Sequence, residues 1–224
     1  MSKVCKVNPS DQVLAFVAPG LPRRGANKVV TRRGKRVRGN FPSLKATCSA
    51  RFQSLGEERT WGVFELARAV ESFVTHPASF RIDVDDEDGG FRYTPDCAIT
   101  THWRETLLGE VKPDTKFVRP DVRERLHRVW RAFEEEGTQF FVVLESDLLW
   151  VPGLLNLIEI ALRNRPWRLN WIECRDEASA AEAEQNFDQA AWNRAAIACD
   201  ELLERVMARD FRQTLKQAQD FTHA

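Results

Sequence analysis

The sequence lacks the long apolar segments that membrane proteins need. No apolar run in its 224 residues approaches the roughly 18 residues of a transmembrane helix, and the N-terminus has no signal-peptide core. Hydrophobic residues make up 43% and charged residues 29% of the chain, which is typical of a folded globular protein. We therefore expect a cytoplasmic protein that does not contact a membrane.

Cysteine and histidine patterns that bind zinc or form disulfide frameworks are also missing. The five cysteines are odd in number and include no C-x-x-C pair, and the four histidines lack the spacing of zinc ligands. This argues against both a disulfide framework and a structural zinc site. We expect reduced thiols in the core or at the surface.

Acidic residues are absent between Asp11 and Glu57, although the net charge of the whole chain is zero. Because residues 30 to 39 have too little apolar content to fold alone, we predict an extended basic arm over residues 1 to 45. Basic side chains that neutralise phosphates bind double-stranded DNA without sequence preference. The candidates are Arg23, Arg24, Lys28, Arg32, Arg33, Lys35, Arg36, Arg38 and Lys45. The alternative is a solvated tail.

Two predicted strands follow further along the chain. Residues 91 to 100 are rich in β-branched and aromatic side chains, and residues 106 to 112 are short and apolar, so both are predicted to be strands of one sheet. Side chains alternate along a strand, so Glu110 and Lys112 share one face while Val111 packs into the core. If the two strands are neighbours, Asp96 faces the same pocket.

Asp96, Glu110 and Lys112 supply the groups that phosphodiester hydrolysis needs. Carboxylate oxygens hold hard divalent cations, and an ammonium group can orient water beside the scissile phosphate. The pattern by itself is short, because Pro-Asp is a common turn and Glu-x-Lys can decorate the solvated face of a strand. The residues alone therefore leave a nuclease site and a structural role open.

Glu57 also has two interpretations. Residues 54 to 57 match a capping box, in which a serine hydroxyl and a glutamate three residues later satisfy the first amide groups of a helix. The apolar spacing predicts that this helix continues as far as Val70. On composition alone, the capping role is sufficient to explain Glu57.

The remaining pattern predicts an α/β fold. A strand over residues 79 to 84, a helix from Pro120 that ends at Gly137, and a buried strand over residues 139 to 145 accompany the two strands above. This order gives a mixed sheet flanked by helices, with the site on its central strands. Residues 176 to 224 are rich in helix-forming residues and are predicted to form a helical C-terminal segment after a catalytic core of residues 46 to 175.

Five segments together resemble the TnsA family, the endonuclease subunit of heteromeric cut-and-paste transposases. The resemblance covers roughly residues 39 to 145, and its order and spacing make it fairly specific. The segments are Gly-Asn-Phe-Pro-Ser-Leu-Lys at 39 to 45, Ser-Leu-Gly-Glu at 54 to 57, Ser-Phe-Val-Thr-His-Pro at 72 to 77, Tyr-Thr-Pro-Asp at 93 to 96 and Glu-Val-Lys at 110 to 112. The chain departs from the family at His76 and Cys97, where Gln and Phe are frequent.

This resemblance implies a restriction-endonuclease-like core with a PD-(D/E)xK site. It implies that Glu57, Asp96, Glu110 and Lys112 are catalytic, and that Glu57, Asp96, Glu110 and the carbonyl of Val111 bind Mg²⁺, for which Mn²⁺ would substitute. The implied activity is hydrolysis at the 5′ ends of a transposon beside a TnsB-like recombinase that processes the 3′ ends. A TnsC-like ATPase is a further implied partner of the C-terminal region. Two alternatives are a stand-alone restriction or repair nuclease and a catalytically silent DNA-binding module.

Overall fold

The centre of the molecule is a mixed four-stranded sheet. A computed structural model describes residues 4–6, 37–82, 90–163 and 188–223, with the backbone alone for residues 4–6. In these ranges the elements are β1 (Val4–Lys6), β2 (Gly39–Phe41), β3 (Ala50–Phe52), α1 (Leu55–Leu66), β4 (Val70–Thr75), β5 (Phe80–Ile82), β6 (Phe91–Tyr93), β7 (Cys97–Thr101), β8 (Thr106–Lys112), α2 (Asp114–Phe117), α3 (Pro120–Glu135), β9 (Phe140–Leu144), α4 (Glu145–Trp150), α5 (Leu154–Arg163), α6 (Gln189–Met207) and α7 (Phe211–His223).

The strand order of the central sheet is β4-β7-β8-β9. The β4–β7 and β7–β8 pairs are antiparallel, whereas β8 and β9 are parallel and are connected through α2 and α3. The predicted α/β class, the mixed sheet and the adjacency of the two candidate strands are thereby confirmed. A second antiparallel sheet has the order β1-β5-β6, and β2 pairs with β3.

Helices cover both faces of the central sheet, and the sheet separates two clusters of core residues. On one face, Leu107 and Val111 of β8 pack in a cluster that includes α1, α5 and α6. On the other face, Leu108 packs in a cluster that includes β5, β6 and α3. Because strand residues two apart share a face, Glu110 and Lys112 point toward the second cluster while α1 covers the first.

Two predicted element boundaries are wrong. The strand predicted over residues 91 to 100 is two strands, β6 and β7, which belong to different sheets and are separated by residues 94 to 96. Pro95 has no amide hydrogen for a strand ladder, so the pairing stops there. The helix predicted as far as Val70 ends at Leu66, because residues 70 to 75 instead pair with β7.

The basic arm lies mostly outside the described residues, as do residues 176 to 187 of the C-terminal segment. Within the described part, β2 pairs with β3 and Phe41 is buried, so the packed core includes residues that were assigned to the arm. No helix among the described residues is long and apolar enough to cross a membrane. The three cysteines with described side chains, Cys48, Cys97 and Cys199, are free thiols.

The two C-terminal helices are fastened to the sheet by a buried ion pair. Arg209, between α6 and α7, donates hydrogen bonds of 2.8 and 2.7 Å to the two carboxylate oxygens of Asp147 in α4. The Asp147 side chain is only 1% exposed and also accepts the amide hydrogen of Leu144 at 2.8 Å. The end of β9, the start of α4 and the α6–α7 junction are thus held together at one buried carboxylate.

Candidate active site

Asp96 lies where the chain enters the central sheet. Its Oδ2 atom accepts a hydrogen bond of 2.9 Å from the backbone amide of Val111 in β8. Its carbonyl oxygen accepts a second bond of 2.8 Å from the amide of His76, just after β4. The carboxylate of Asp96 is therefore held against the C-terminal end of β8, while its backbone is bound to the residue that follows β4.

Glu110 and Lys112 lie two residues apart on β8, and the ammonium group of Lys112 contacts both Glu110 and Asp96. The Nζ atom of Lys112 forms an ion pair with Glu110 Oε1 and lies 3.5 Å from Asp96 Oδ2. The other oxygen of Glu110 accepts a hydrogen bond of 2.5 Å from the hydroxyl of Tyr93. The three residues of the predicted pattern are thus brought together, as the adjacency of the strands requires.

Gly109 allows this part of β8 to pack closely. A Cβ atom at this position would lie 2.6 Å from Cε2 of Phe141 and 2.7 Å from Sγ of Cys97. These distances are shorter than ordinary van der Waals contact, so no larger residue fits without movement of its neighbours. The ring of Phe141 and the thiol of Cys97 pack against Gly109 and help to fix the strand directly before Glu110.

The charged groups at this site are strongly perturbed. Burial raises the pKa of the Glu110 carboxyl to about 7, and repulsion from Asp96 acts in the same direction, while Lys112 and Tyr93 oppose it. Burial alone would lower the pKa of Lys112, but the carboxylates of Glu110 and Asp96 outweigh it and raise this pKa. Such perturbed groups in a cleft are characteristic of functional sites.

Glu57 makes the capping interactions and faces the same cleft. The amide hydrogen of Glu57 binds Ser54 Oγ at 3.2 Å, and the Ser54 hydroxyl donates to Glu57 Oε1 at 3.0 Å. The Oε2 atom of Glu57 accepts the amide hydrogen of Gln53 at 2.8 Å. In a standard capping box it would accept the amide hydrogen of the cap residue itself, Ser54. Burial raises the pKa of Glu57, and the charge of Asp96 raises it further.

These side chains meet at a cleft of about 770 Å³ between α1, the end of β8, α2 and α4. Glu57, Asp96, Val111 and Lys112 line it, whereas Glu110 lies behind Lys112 and is 5% exposed. The lining also includes Glu145, Arg59 and Lys116, so the cleft presents three carboxylates, three cationic side chains and a backbone segment of β8 to a ligand.

Several residues at the site were not identified from the sequence, among them Tyr93 and His76. Tyr93, the only tyrosine in the chain, holds Glu110 from β6. His76 lines the cleft with a left-handed backbone (φ 50°), a conformation that is uncommon for residues other than glycine and occurs often at functional sites. Burial lowers the pKa of His76, which favours a neutral imidazole, and its Nε2 lies 3.1 Å from Nε2 of Gln53. The position of Tyr93 three residues before Asp96 was the available signal.

The chemistry of the cleft fits a hard divalent cation. Its donors are carboxylate oxygens and a carbonyl, the ligands that Mg²⁺ prefers. Among the described residues, no three Asp, Glu, His or Cys side chains are arranged as a metal-binding group. Lys112 is the cation that bridges Asp96 and Glu110, so a metal ion held by both carboxylates would have to displace its ammonium.

The predicted DNA-binding residues are divided by the limits of the described chain. Those from Arg23 to Arg36 lie outside the described residues, and Arg38 directly precedes β2. Lys45 donates to the carbonyl oxygens of Ala67 and, at 3.3 Å, Phe64, so its ammonium stabilises the C-terminal end of α1. A contact between these side chains and DNA stays a prediction.

Comparison with known proteins adds no relative. A scan against models of protein families finds no match to this chain, and a search of curated proteins finds none either. The resemblance to the TnsA family therefore rests on the motifs quoted above.

Proposed function

We propose that this protein is a divalent-metal-dependent DNA endonuclease with a restriction-endonuclease-like core, and that it is the TnsA-type subunit of a heteromeric transposase. The observation that carries the proposal is the convergence of Glu57, Asp96 and Lys112 from α1, the start of β7 and β8 on one cleft. Neither a turn dipeptide nor a solvated strand face would bring these three side chains together.

Each residue then has a distinct task. Asp96, Glu110 and the carbonyl of Val111 would hold Mg²⁺, or Mn²⁺ in its place, and Glu57 would complete the set from α1. When bound, the ion supplies Lewis-acid polarisation of the phosphate oxygens. Lys112 orients the attacking water and offsets the charge that develops on the phosphate. The water oxygen releases a proton to solvent and bonds to phosphorus, the bond to the leaving oxygen breaks, and that oxygen takes up a proton from solvent.

The transposase role distinguishes this proposal from a nuclease that acts alone. The protein would cut at the 5′ ends of a transposon while a TnsB-like recombinase processes the 3′ ends, and a TnsC-like ATPase would regulate both. The support is the order and spacing of the motifs on the observed strands. The test is a nicking assay on transposon-end DNA with Mg²⁺, with and without a co-expressed recombinase. Cleavage by the purified chain alone on any DNA would instead favour a stand-alone nuclease.

Asp96→Asn tests the chemistry directly. Asparagine keeps an oxygen that can accept the Val111 amide hydrogen, so the fold is retained, but it removes the negative charge that would hold the cation. We expect cleavage to fall by at least about 100-fold, as when a single group that stabilises developing charge is removed. Asp121→Asn on the exposed surface of α3 is the control and should cut at the wild-type rate. Wild-type cleavage by Asp96→Asn would refute the proposed site.

A further inference from the structure

Two basic side chains line the cleft in addition to Lys112. Arg59 extends from α1, two residues after Glu57, and Lys116 extends from α2, four residues after Lys112. Within residues 37–82, 90–163 and 188–223, neither forms an ion pair or a side-chain hydrogen bond, whereas the ammonium of Lys112 is committed to Glu110 and Asp96. The cleft therefore contains two cations that form no ion pair with the described carboxylates, although Glu57, Asp96 and Glu145 also line it.

The positions of these cations indicate what kind of ligand would pair with them. They lie on the same two segments of chain that carry Glu57 and Lys112, so an anion bound by either side chain lies beside the proposed reaction centre. A volume of about 770 Å³ falls in the range of about 300–1,000 Å³ that small-ligand sites occupy, which admits a short stretch of one strand and not a whole duplex. A polyanionic backbone supplies a charge at each step along that stretch.

We infer that Arg59 and Lys116 bind backbone phosphates of the DNA strand that is cut, on the segments adjacent to the scissile phosphate. The inference rests on the proposed nuclease function. It assigns DNA contacts to the cleft that are separate from the contacts predicted for the basic arm. Phosphate contacts fix the register and orientation of the nucleic acid without reading its sequence. The two side chains thus position the strand over Asp96 and Lys112.

The two cations differ in how they would hold a phosphate. Arg59 is half-buried, and a guanidinium group in a fixed orientation can bind phosphate oxygens through two parallel hydrogen bonds. Lys116 is exposed and acts as a point charge. Arg59→Lys should therefore weaken DNA binding although it keeps the charge, whereas Lys116→Arg should bind DNA as the wild type does.

The test is a salt titration of binding, followed by fluorescence anisotropy of short labelled duplexes of two unrelated sequences without divalent metal. Arg59→Gln and Lys116→Gln should each weaken binding equally on both sequences. Each should reduce the slope of log K against log salt by about 0.9, and the double variant by about 1.8, as expected for one lost phosphate contact per residue. Arg212→Gln and Lys216→Gln, exposed positions on α7 that do not line the cleft, are the matched controls and should leave the slope unchanged.

The outcomes separate this inference from the proposed function. If wild-type protein cuts DNA but both cleft variants keep the wild-type slope and affinity, the phosphate contacts are refuted and the nuclease stands. If no protein cuts DNA but the slopes fall as expected, the cleft binds DNA without catalysis. Absence of wild-type binding at the lowest salt concentration refutes the inference. A thermal melt of each variant, with Arg59→Lys as the charge-conserving replacement, shows whether weaker binding reflects loss of fold.

Discussion

Glu57 shows how one side chain can serve a helix end and a cleft together. Its two oxygens accept hydrogen bonds from Gln53 and Ser54, which satisfies groups at the start of α1. The same carboxylate lines the cleft near enough to Asp96 for the two charges to repel. The capping role and the proposed ligand role are therefore compatible. The capping role requires oxygens that accept hydrogen bonds, whereas the ligand role requires the negative charge.

Glu57→Gln separates these two roles. Glutamine is an accepted capping-box partner, so the free energy of unfolding should change by less than about 1 kcal/mol, while the loss of the negative charge should severely impair metal-dependent cleavage. Thermal melting and a nicking assay measure the two effects. Glu58→Gln, which removes a charge from the same helical turn outside the cleft, is the control. Normal cleavage by Glu57→Gln would return Glu57 to a purely structural role.

The buried carboxyl of Glu110 predicts a pH effect on stability in the absence of metal. Its pKa is about 7 in the folded protein against 4.5 for an ordinary glutamate. Because the folded protein holds this proton more tightly than the unfolded chain does, Glu110 stabilises the fold below pH 4.5, and this stabilisation is lost as the pH rises through 7. The loss in the free energy of unfolding is about 3 kcal/mol. The raised pKa of Glu57 also makes stability decrease as the pH rises, whereas the lowered pKa of His76 makes stability increase as the pH rises.

Comparison with Glu110→Gln isolates this contribution, because Glu57 and His76 remain in both proteins. The stability of the wild type relative to Glu110→Gln should decrease as the pH rises from 4.5 to 7. Denaturant unfolding at a series of pH values, with a chelator present, provides the measurement. Parallel stability profiles for the two proteins would show that Glu110 is ionised throughout and that burial does not control its protonation.

At the scale of elements, the ion pair between Asp147 and Arg209 decides how the C-terminal helices join the sheet. Both side chains are at least nine-tenths buried, with exposed fractions of 1% and 10%. Loss of one partner of such a pair leaves a charge without its counter-charge in a poorly solvated place, which is more costly than loss of both. The α6–α7 junction is thus tied to the segment that follows β9, next to the C-terminal end of β8.

Asp147→Ala should lower the free energy of unfolding by about 3–5 kcal/mol. The double variant Asp147→Ala/Arg209→Met should lose less than the sum of the two single variants, because it removes the unpaired cation as well. Chemical denaturation of the wild type, the two single variants and the double variant measures the coupling free energy between Asp147 and Arg209. Glu159→Ala, which breaks an exposed pair with Arg163, should stay within about 0.5 kcal/mol of wild type. Additive effects at Asp147 and Arg209 would mean that the two side chains are not coupled.

At the scale of the whole molecule, the contrast between a neutral chain and a basic N-terminal segment predicts two separate DNA contacts. The cleft would hold the strand that is cut, and the arm would hold the neighbouring backbone. Phosphate contacts of the arm carry no sequence information, so their loss should weaken binding without moving the position of the cut.

Replacement of Arg32, Arg33, Lys35 and Arg36 with Ala should reduce the slope of log K against log salt by roughly 2 to 4 units. The measurement is a salt titration on transposon-end DNA with the partner recombinase present, together with mapping of the cut. The corresponding slope changes at Arg59 and Lys116 should add to this effect, because each lost phosphate contact lowers the slope by its own increment. An unchanged slope in the fourfold variant would leave the arm a solvated tail.

Local patterns were sufficient for several features of this protein. The strand at residues 106 to 112 and the helix starts at Ser54 and Pro120 follow from alternation, capping chemistry and the position of proline. These signals depend on residues within a few positions of one another. For that reason the class of the fold and the pairing of Glu110 with Lys112 on one strand face could be predicted from the sequence alone.

Tertiary structure decided what depends on contacts between distant segments. The break at Pro95 places Asp96 between two sheets, and the pairing of residues 70 to 75 with β7 ends α1 early, because each strand takes the partner that satisfies its backbone groups. The bond from Tyr93 to Glu110 and the place of Arg59 and Lys116 on one cleft depend on the same packing. The sequence determined which chemical groups are present, and the fold determined which of them face one another.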